Sequence, residues 1–189
     1  MHISQWIAFG VALASWGGFT IMMRKYFRFA RQRSTAKSWL IFSAFACTAA
    51  QFVGIVTAGP ISATWLCSGI AVFGLANLLF WWALSAHGKS HPAFAFIQVA
   101  PESLTTAGPY RLVRHPIYSA YLLGWCAGAV ITAQPWLLLT VVYMGTFYLV
   151  AAQQEEKTIL ASALASSYEE YQRHTGMFFP KLTALVPGR

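Results

Sequence analysis

"RHPIYSAYLLGWCAGAVITAQPWLLLTVVYMGTFYLVAAQQEE", residues 114–156, contains no Lys, Arg, Asp or Glu between Arg114 and Glu155. A membrane-spanning helix needs about 20 mostly apolar residues, so the run is long enough for two. It has one break, Gln134-Pro135, where a proline cannot continue a helix. The pattern predicts spans over 116–133 and 135–153, joined by a very short turn. Such a pair must be antiparallel, and its two polar ends must be neighbours. Arg114 and His115 at one end are thereby set beside Glu155 and Glu156 at the other.

The same reading extends to the rest of the chain. Residues 3–23 form one apolar run, read as a retained span and not as a cleaved leader. A second charge-free stretch lies between Lys37 and Lys89 and is interrupted at Ala58-Gly59-Pro60, which predicts spans over 38–58 and 61–86. The 189 residues are 57% hydrophobic and only 10% charged, against about 25% charged in a soluble domain. Runs of this length exclude barrel strands, which are about 10 residues and alternate. The predicted fold is an all-α integral membrane protein of about five transmembrane helices. The expected organisation is a single membrane domain over 1–189, with three N-terminal spans in 1–86 and a catalytic half in 87–189.

The basic residues point to an orientation. Six of the thirteen Lys and Arg lie in 24–37, between the first two spans, and the other seven fall in 87–115 and after 153. Alternating spans put all of these segments on one face, and the loops at 58–61 and 133–135 carry none. The positive-inside rule makes that face cytosolic and leaves the N-terminus outside. The net charge of +8 then reflects topology and contact with membrane lipids. It does not indicate nucleic-acid binding, because the basic cluster hugs a span and no binding module accompanies it. Cys47, Cys67 and Cys126 lie in apolar runs without metal-ligand spacing. They are read as free buried thiols, and no metal site is expected.

After the fifth span, Leu160, Ala163, Leu164, Tyr168 and Tyr171 share a helical face. They predict an amphipathic cytosolic helix that continues from the span and is ended by "GMFFP" (176–180).

Two polar constellations stand out at the span ends. One is Tyr110, Arg111, Arg114, His115 and Tyr118; the other is Glu155 and Glu156. Pro116 suits the first position of a helix, which makes His115 its N-cap. Cations are poorly placed at the positive end of a helix unless an anion is bound there. The local chemistry therefore points to a small polar ligand with an anionic group, held at the membrane interface.

"LTTAGPYRLVRHPIYSAY" (104–121), followed by "EEKTILASALASSYEEYQRHTGMFFP" (155–180), resembles the isoprenylcysteine carboxyl methyltransferase family and its phospholipid methyltransferase relatives. The likeness covers about residues 84 to 181. It implies an all-helical membrane enzyme using S-adenosylmethionine, with a lipophilic small molecule or lipid entering from the bilayer as methyl acceptor. By position it implies that Gly108, Tyr110, His115, Pro116, Tyr118, Glu155 and Glu156 bind the cofactor. It puts Arg114 and Glu156 at the reaction centre, with Arg114 between cofactor and acceptor. Gly88 and Lys89 resemble an earlier glycine-basic pair of the family. The family's setting would be the inner membrane of a bacterium or the endoplasmic reticulum of a eukaryote. Ala120 and "LASSY" (164–168) depart from the family pattern, and neither the acceptor nor the oligomeric state is implied. The rival is an NADPH-dependent membrane reductase of the steroid and sterol reductase type, which shares R-H-P-x-Y. Its hallmark asparagine is replaced here by Ile117, and Ala120 and Tyr121 stand where its glutamate is expected.

Overall fold

The computed structural model describes residues 1–26, 35–87 and 100–181. Among them are six α-helices: α1 (Ile3–Tyr26), α2 (Thr35–Thr57), α3 (Ala63–Ser85), α4 (Pro116–Thr132), α5 (Leu138–Leu160) and α6 (Ala165–His174). There is no β-strand among the described residues; an isolated bridge joins Val113 and Gly176. The predicted all-α membrane fold is observed. Large apolar side chains cover the outside, with Leu78 68% and Leu139 70% exposed. That surface suits hydrocarbon, not water.

Four helices are long and apolar enough to cross a membrane: α1, α2 from Ser38, α3, and α5 with the turn before it. The fifth apolar helix, α4, has only 17 residues, about 25 Å of rise, short of a hydrocarbon core of about 30 Å. It lies inside the bundle, and twelve of its residues are buried. A helix wrapped by its neighbours is not obliged to reach both bilayer surfaces.

Small residues let the helices close on α4. A Cβ on Gly69 of α3 would stand 2.3 Å from the Ile131 Cβ, and one on Gly128 of α4 would stand 1.9 Å from the Gln51 Oε1. Close backbone approach of this kind is the usual packing device where lipid removes the hydrophobic drive between helices. Polar side chains add interhelical bonds. Gln51 Nε2 donates to the Trp125 carbonyl at 2.9 Å, and Gln5 Nε2 donates to the carbonyls of Ile55 and Val56 at 3.0 and 2.9 Å.

The α4–α5 hairpin closes as predicted. Ala133 takes the left-handed conformation, φ 53°, and its N–H caps the carbonyls of Ala129 and Val130. Pro135–Leu137 then form one 3-10 turn into α5. At 23 residues α5 is about 35 Å long, more than a hydrocarbon core of about 30 Å, and Glu155 and Glu156 lie near its end.

Two expectations are corrected. The amphipathic helix does not continue from α5. The chain turns at 161–164, where Ser162 Oγ donates to the Ile159 carbonyl at 2.6 Å and accepts the Leu164 N–H at 3.2 Å. A serine bonding its own backbone competes with helix propagation, and Ala163 faces outward. The three cysteines are free, but Cys67 is exposed on the outer face of α3 and Cys126 is half-buried.

Gly69→Ala is expected to destabilise the protein by about 1–3 kcal/mol through overpacking against Ile131. Gly74→Ala, with nothing within 4 Å of its added Cβ, should leave the melting temperature unchanged or slightly higher. Thermal unfolding in detergent compares the two, and equal melting temperatures would remove the packing role given to Gly69.

Candidate active site

The start of α4, the end of α5 and the segment after α6 meet at one point. Glu156, on the last turn but one of α5, is buried there. Its Oε1 accepts from Arg114 Nε at 2.8 Å and lies 3.0 Å from His115 Nε2. Its Oε2 accepts from Gln172 Nε2 at 2.7 Å and from Arg114 Nη2 at 3.3 Å. The buried Tyr168 hydroxyl also faces this carboxylate. The Arg114 and Glu156 side chains are each 9% exposed, so the pair is a desolvated, bidentate ion pair, among the stronger polar contacts a protein makes.

This arrangement answers the charge problem raised by the sequence. Arg114 and His115 stand at the positive end of α4, and the anion they need is the protein's own Glu156. The third guanidinium nitrogen of Arg114, Nη1, donates to the Thr175 carbonyl. The guanidinium of Arg114, which the resemblance puts between cofactor and acceptor, is therefore engaged from within the chain. Arg111, by contrast, is exposed.

Glu155 lies one residue away and has a different environment. Tyr118 donates its hydroxyl to Glu155 Oε1 at 2.6 Å, and Glu155 Oε2 stands 3.6 Å from His115 Nδ1. Its side chain is 15% exposed. His115 thus lies between the two carboxylates, one at each ring nitrogen. Its ring stacks on Tyr118 at 5.6 Å, and Tyr118 stacks on Tyr148 at 5.3 Å. His115 occupies the N-cap position as predicted, with Pro116 next, but its side chain makes no capping bond. The first N–H groups of the helix keep their capacity for an acceptor.

Gly108 and Tyr110 sit at the rim. Gly108 has φ +59°, and a Cβ there would come within 3.2 Å of both Ala86 and Trp82. Glycine is needed for that left-handed turn against the end of α3. The turn delivers Tyr110 to His87, whose Nε2 lies 2.7 Å from the Tyr110 hydroxyl. Burial lowers the His87 pKa below the usual histidine value and raises that of the Tyr110 phenol, so at neutral pH the phenol donates to a neutral ring. Gly88 and Lys89 lie outside the described residues.

The structure adds a strap that sequence reasoning missed. "GMFFP" does more than end a helix. Arg114 N–H donates to the Gly176 carbonyl at 2.8 Å and His115 N–H to the Met177 carbonyl at 3.0 Å. Ser119 Oγ donates to the Phe178 carbonyl at 2.8 Å, and the Phe178 ring stands 6.0 Å from His115 and 6.4 Å from Tyr118. Upstream, the Tyr171 hydroxyl donates to the Tyr110 carbonyl at 2.5 Å. The paired aromatics of "MFFP", apolar after a polar helix, were the available signal.

Removing one partner of a buried pair costs about 3–5 kcal/mol, because it leaves the other charge uncompensated. Glu156→Ala is therefore expected to lower stability by that order and Arg114→Lys, which keeps the charge but not the fork, by clearly less. Arg111→Lys should be silent. Chemical denaturation in mild detergent ranks the three, and a fully stable Glu156→Ala would dissolve the organising role given to this carboxylate.

Residues 64–167, more than half of the chain's 189, match the phospholipid methyltransferase family. The chain is 29% identical over 134 residues to methanethiol S-methyltransferase 2 of Bradyrhizobium diazoefficiens, covering 64% of this chain and 51% of that one. It is 33% identical over 119 residues to the methanethiol S-methyltransferase of a Pseudomonas species, covering 63% and 40%. It is also 32% identical over 122 residues to the cobalt-zinc-cadmium resistance protein CzcN of Cupriavidus metallidurans, covering 64% and 53%. The chain thus spans about half the length of the curated relatives it matches. No solved structure matches it. The matched stretch runs from α3 through the hairpin into the first turn of α6 and includes Arg114, His115, Tyr118, Glu155 and Glu156, and on that match this integral membrane protein belongs to the phospholipid methyltransferase family.

Proposed function

We propose that this protein transfers a methyl group from S-adenosylmethionine to a lipophilic or membrane-associated acceptor. The observation that carries the reading is the Tyr118–Glu155 pair beside the uncapped start of α4. It lies next to a Glu156 that is already saturated by Arg114, His115 and Gln172. Glu156 then serves as a positioning residue, and Glu155, held by Tyr118 on the more exposed side, is the carboxylate placed toward a ligand. The donor set fits the cofactor. The α4 N–H groups suit a carboxylate, Glu155 suits an ammonium or ribose hydroxyls, and the Tyr118 face suits an adenine or a sulfonium. When bound, S-adenosylmethionine supplies a methyl group on a positively charged sulfur to the acceptor's lone pair and leaves as a neutral thioether. What the chain contributes is alignment, which for an in-line displacement supplies most of the rate.

The names of two relatives refer to a small thiol, and the family's name to phospholipid. A thiol or amine acceptor also has to shed a proton. The apolar outer faces of α2 and α3 leave a lipophilic acceptor free to arrive sideways from the bilayer. Cytosolic access for the cofactor follows from the basic residues: Arg24 and Lys25 end α1, and Lys157, Arg173 and Lys181 lie on the face that carries the site.

Calorimetry in detergent should give binding of S-adenosylhomocysteine and none of NADPH. Glu155→Gln should weaken that binding about 10- to 150-fold, the loss of one charge-assisted bond, without a large change in melting temperature. Binding of NADPH alone would replace methyl transfer with the reductase reading.

Topology is tested in a variant with Cys47, Cys67 and Cys126 changed to Ala. Ser4→Cys should react with an impermeant maleimide from outside intact cells, and Ser167→Cys only in inverted vesicles. The reverse pattern would sink the orientation and the cytosolic cofactor route together.

A further inference from the structure

His87 lies just past the end of α3, and both of its ring nitrogens meet a hydroxyl. Nε2 is 2.7 Å from the Tyr110 oxygen and Nδ1 is 3.4 Å from Thr105 Oγ1. The His87 and Tyr110 rings pack edge to face, with centroids 5.1 Å apart. A phenol that donates to Nε2 leaves the ring proton on Nδ1, directed at Thr105. The pair is therefore consistent as a neutral imidazole with one fixed tautomer.

That bond decides which way the Tyr110 hydroxyl points. Tyr110 is 8% exposed, and its backbone is anchored independently, because Tyr171 donates to its carbonyl at 2.5 Å. A phenol has one proton, and here it is directed at His87. What the oxygen presents elsewhere is lone pairs. Glu155 stands within electrostatic reach of the phenol and, with burial and Tyr171, raises its pKa. Besides His87, the titratable groups that act on this phenol among the described residues are Tyr171 and Glu155, and neither is a cation. Arg114 does not serve here, since its nitrogens bond Glu156 and the Thr175 carbonyl. An inward lone pair near a carboxylate favours a positively charged group.

We propose that His87 is a positioning residue for the methyl donor: by accepting the Tyr110 proton, it aims the phenol lone pairs at the positively charged sulfur of S-adenosylmethionine. This rests on the methyl-transfer reading and gives the sulfonium a seat, leaving the Tyr118 face to the adenine. Methyl and methylene groups on a sulfonium are polarised, and an oxygen aimed at them makes C–H···O contacts. S-adenosylhomocysteine has the same ammonium, carboxylate, ribose and adenine but a neutral sulfur. The contact therefore distinguishes donor from spent product, and its loss after transfer eases product release. Without an acceptor at position 87 the hydroxyl is free to turn its proton toward Glu155, and the cation then faces the wrong end of the dipole.

The ratio of two affinities tests this, and no methyl acceptor is needed. Calorimetry of the full chain in detergent at neutral pH measures S-adenosylmethionine and S-adenosylhomocysteine separately. Tyr110→Phe removes the lone pairs and His87→Leu removes the group that orients them. Each should weaken S-adenosylmethionine about fivefold more than S-adenosylhomocysteine. His87→Gln, whose side-chain carbonyl accepts the same proton, should keep the wild-type ratio. Tyr143→Phe, which loses a bond to Ser43 at 3.0 Å between α2 and α5, should keep it as well. A structural brace would move both affinities together, so equal weakening in Tyr110→Phe and His87→Leu overturns the proposal, as does an unchanged ratio. A ratio lost in His87→Gln too would overturn the role given to the accepted proton. If His87→Leu does not fold, Tyr110→Phe against His87→Gln reads the same difference. A wild type that binds neither ligand removes the methyl-transfer reading and this proposal with it. A wild type that binds both, with a ratio indifferent to Tyr110, removes the proposal alone.

Discussion

One carboxylate, that of Glu156, ties the polar end of this bundle together. It is buried at the end of a membrane helix, where an unpaired charge would be untenable. It is held by Arg114 and His115 from the start of α4 and by Gln172 from α6. Three segments distant in sequence therefore have to arrive together for any of them to be stable there. Breaking one contact strands the others, so the assembly is cooperative in the sense of a fully satisfied buried network. The strap at 175–178 completes it through backbone bonds to Arg114 and His115.

The network depends on lengths set far away. The α4–α5 turn closes within a few residues through a left-handed Ala133, which fixes the pairing of the two helices. α5 is longer than the hydrocarbon requires, and α4 is shorter. The difference raises Glu155 and Glu156 to the level of residues 114–118, which precede and open α4. A single residue more or less in α5 would rotate Glu156 by about 100°, out of reach of Arg114. The adjacent Glu155 points instead toward the Tyr118 hydroxyl. Neighbouring positions on a helix face different directions, and that gives the two carboxylates separate partners without any other device.

Much of this was legible in the sequence because hydrocarbon makes few demands and makes them strictly. Charge-free run length located the five apolar helices, and the Gln134-Pro135 break forced the hairpin that brings Tyr118 and Glu155 together. Pro116 marked the start of α4 and His115 its cap. What was not legible depended on backbone bonding or on local choice. The break at 161–164 comes from one serine hydroxyl bonding its own backbone, against a face pattern that favoured continuation. The strap bonds mainly through carbonyls of Thr175, Gly176, Met177 and Phe178, which no side-chain pattern encodes. The filling of Arg114's fork was hidden for a related reason: the arginine motif reads the same whether its carboxylate comes from a ligand or from the chain.

Buried polarity is used in two opposed ways a few ångströms apart. Around Glu156 each lone pair and each donor has a partner, which rigidifies the rim and holds the aromatic rings of His115 and Tyr118 in register. Deeper in the bundle, the Trp16 and Tyr121 donors have no hydrogen-bond partner among the described residues, a cost that packing alone could have removed with phenylalanine. A rigid, satisfied shell makes such a local cost tolerable, because strain persists only where the surroundings over-determine it. The small residues at the α3–α4 and α2–α4 contacts supply that over-determination. Gly69 lies against the Ile131 backbone and Gly128 against the Gln51 side chain, so the bundle has little room to collapse inward and bury the orphan donors against a carbonyl. Tight glycine packing on two sides of α4 and donors unpaired among the described residues on the α1 side are thus parts of one arrangement.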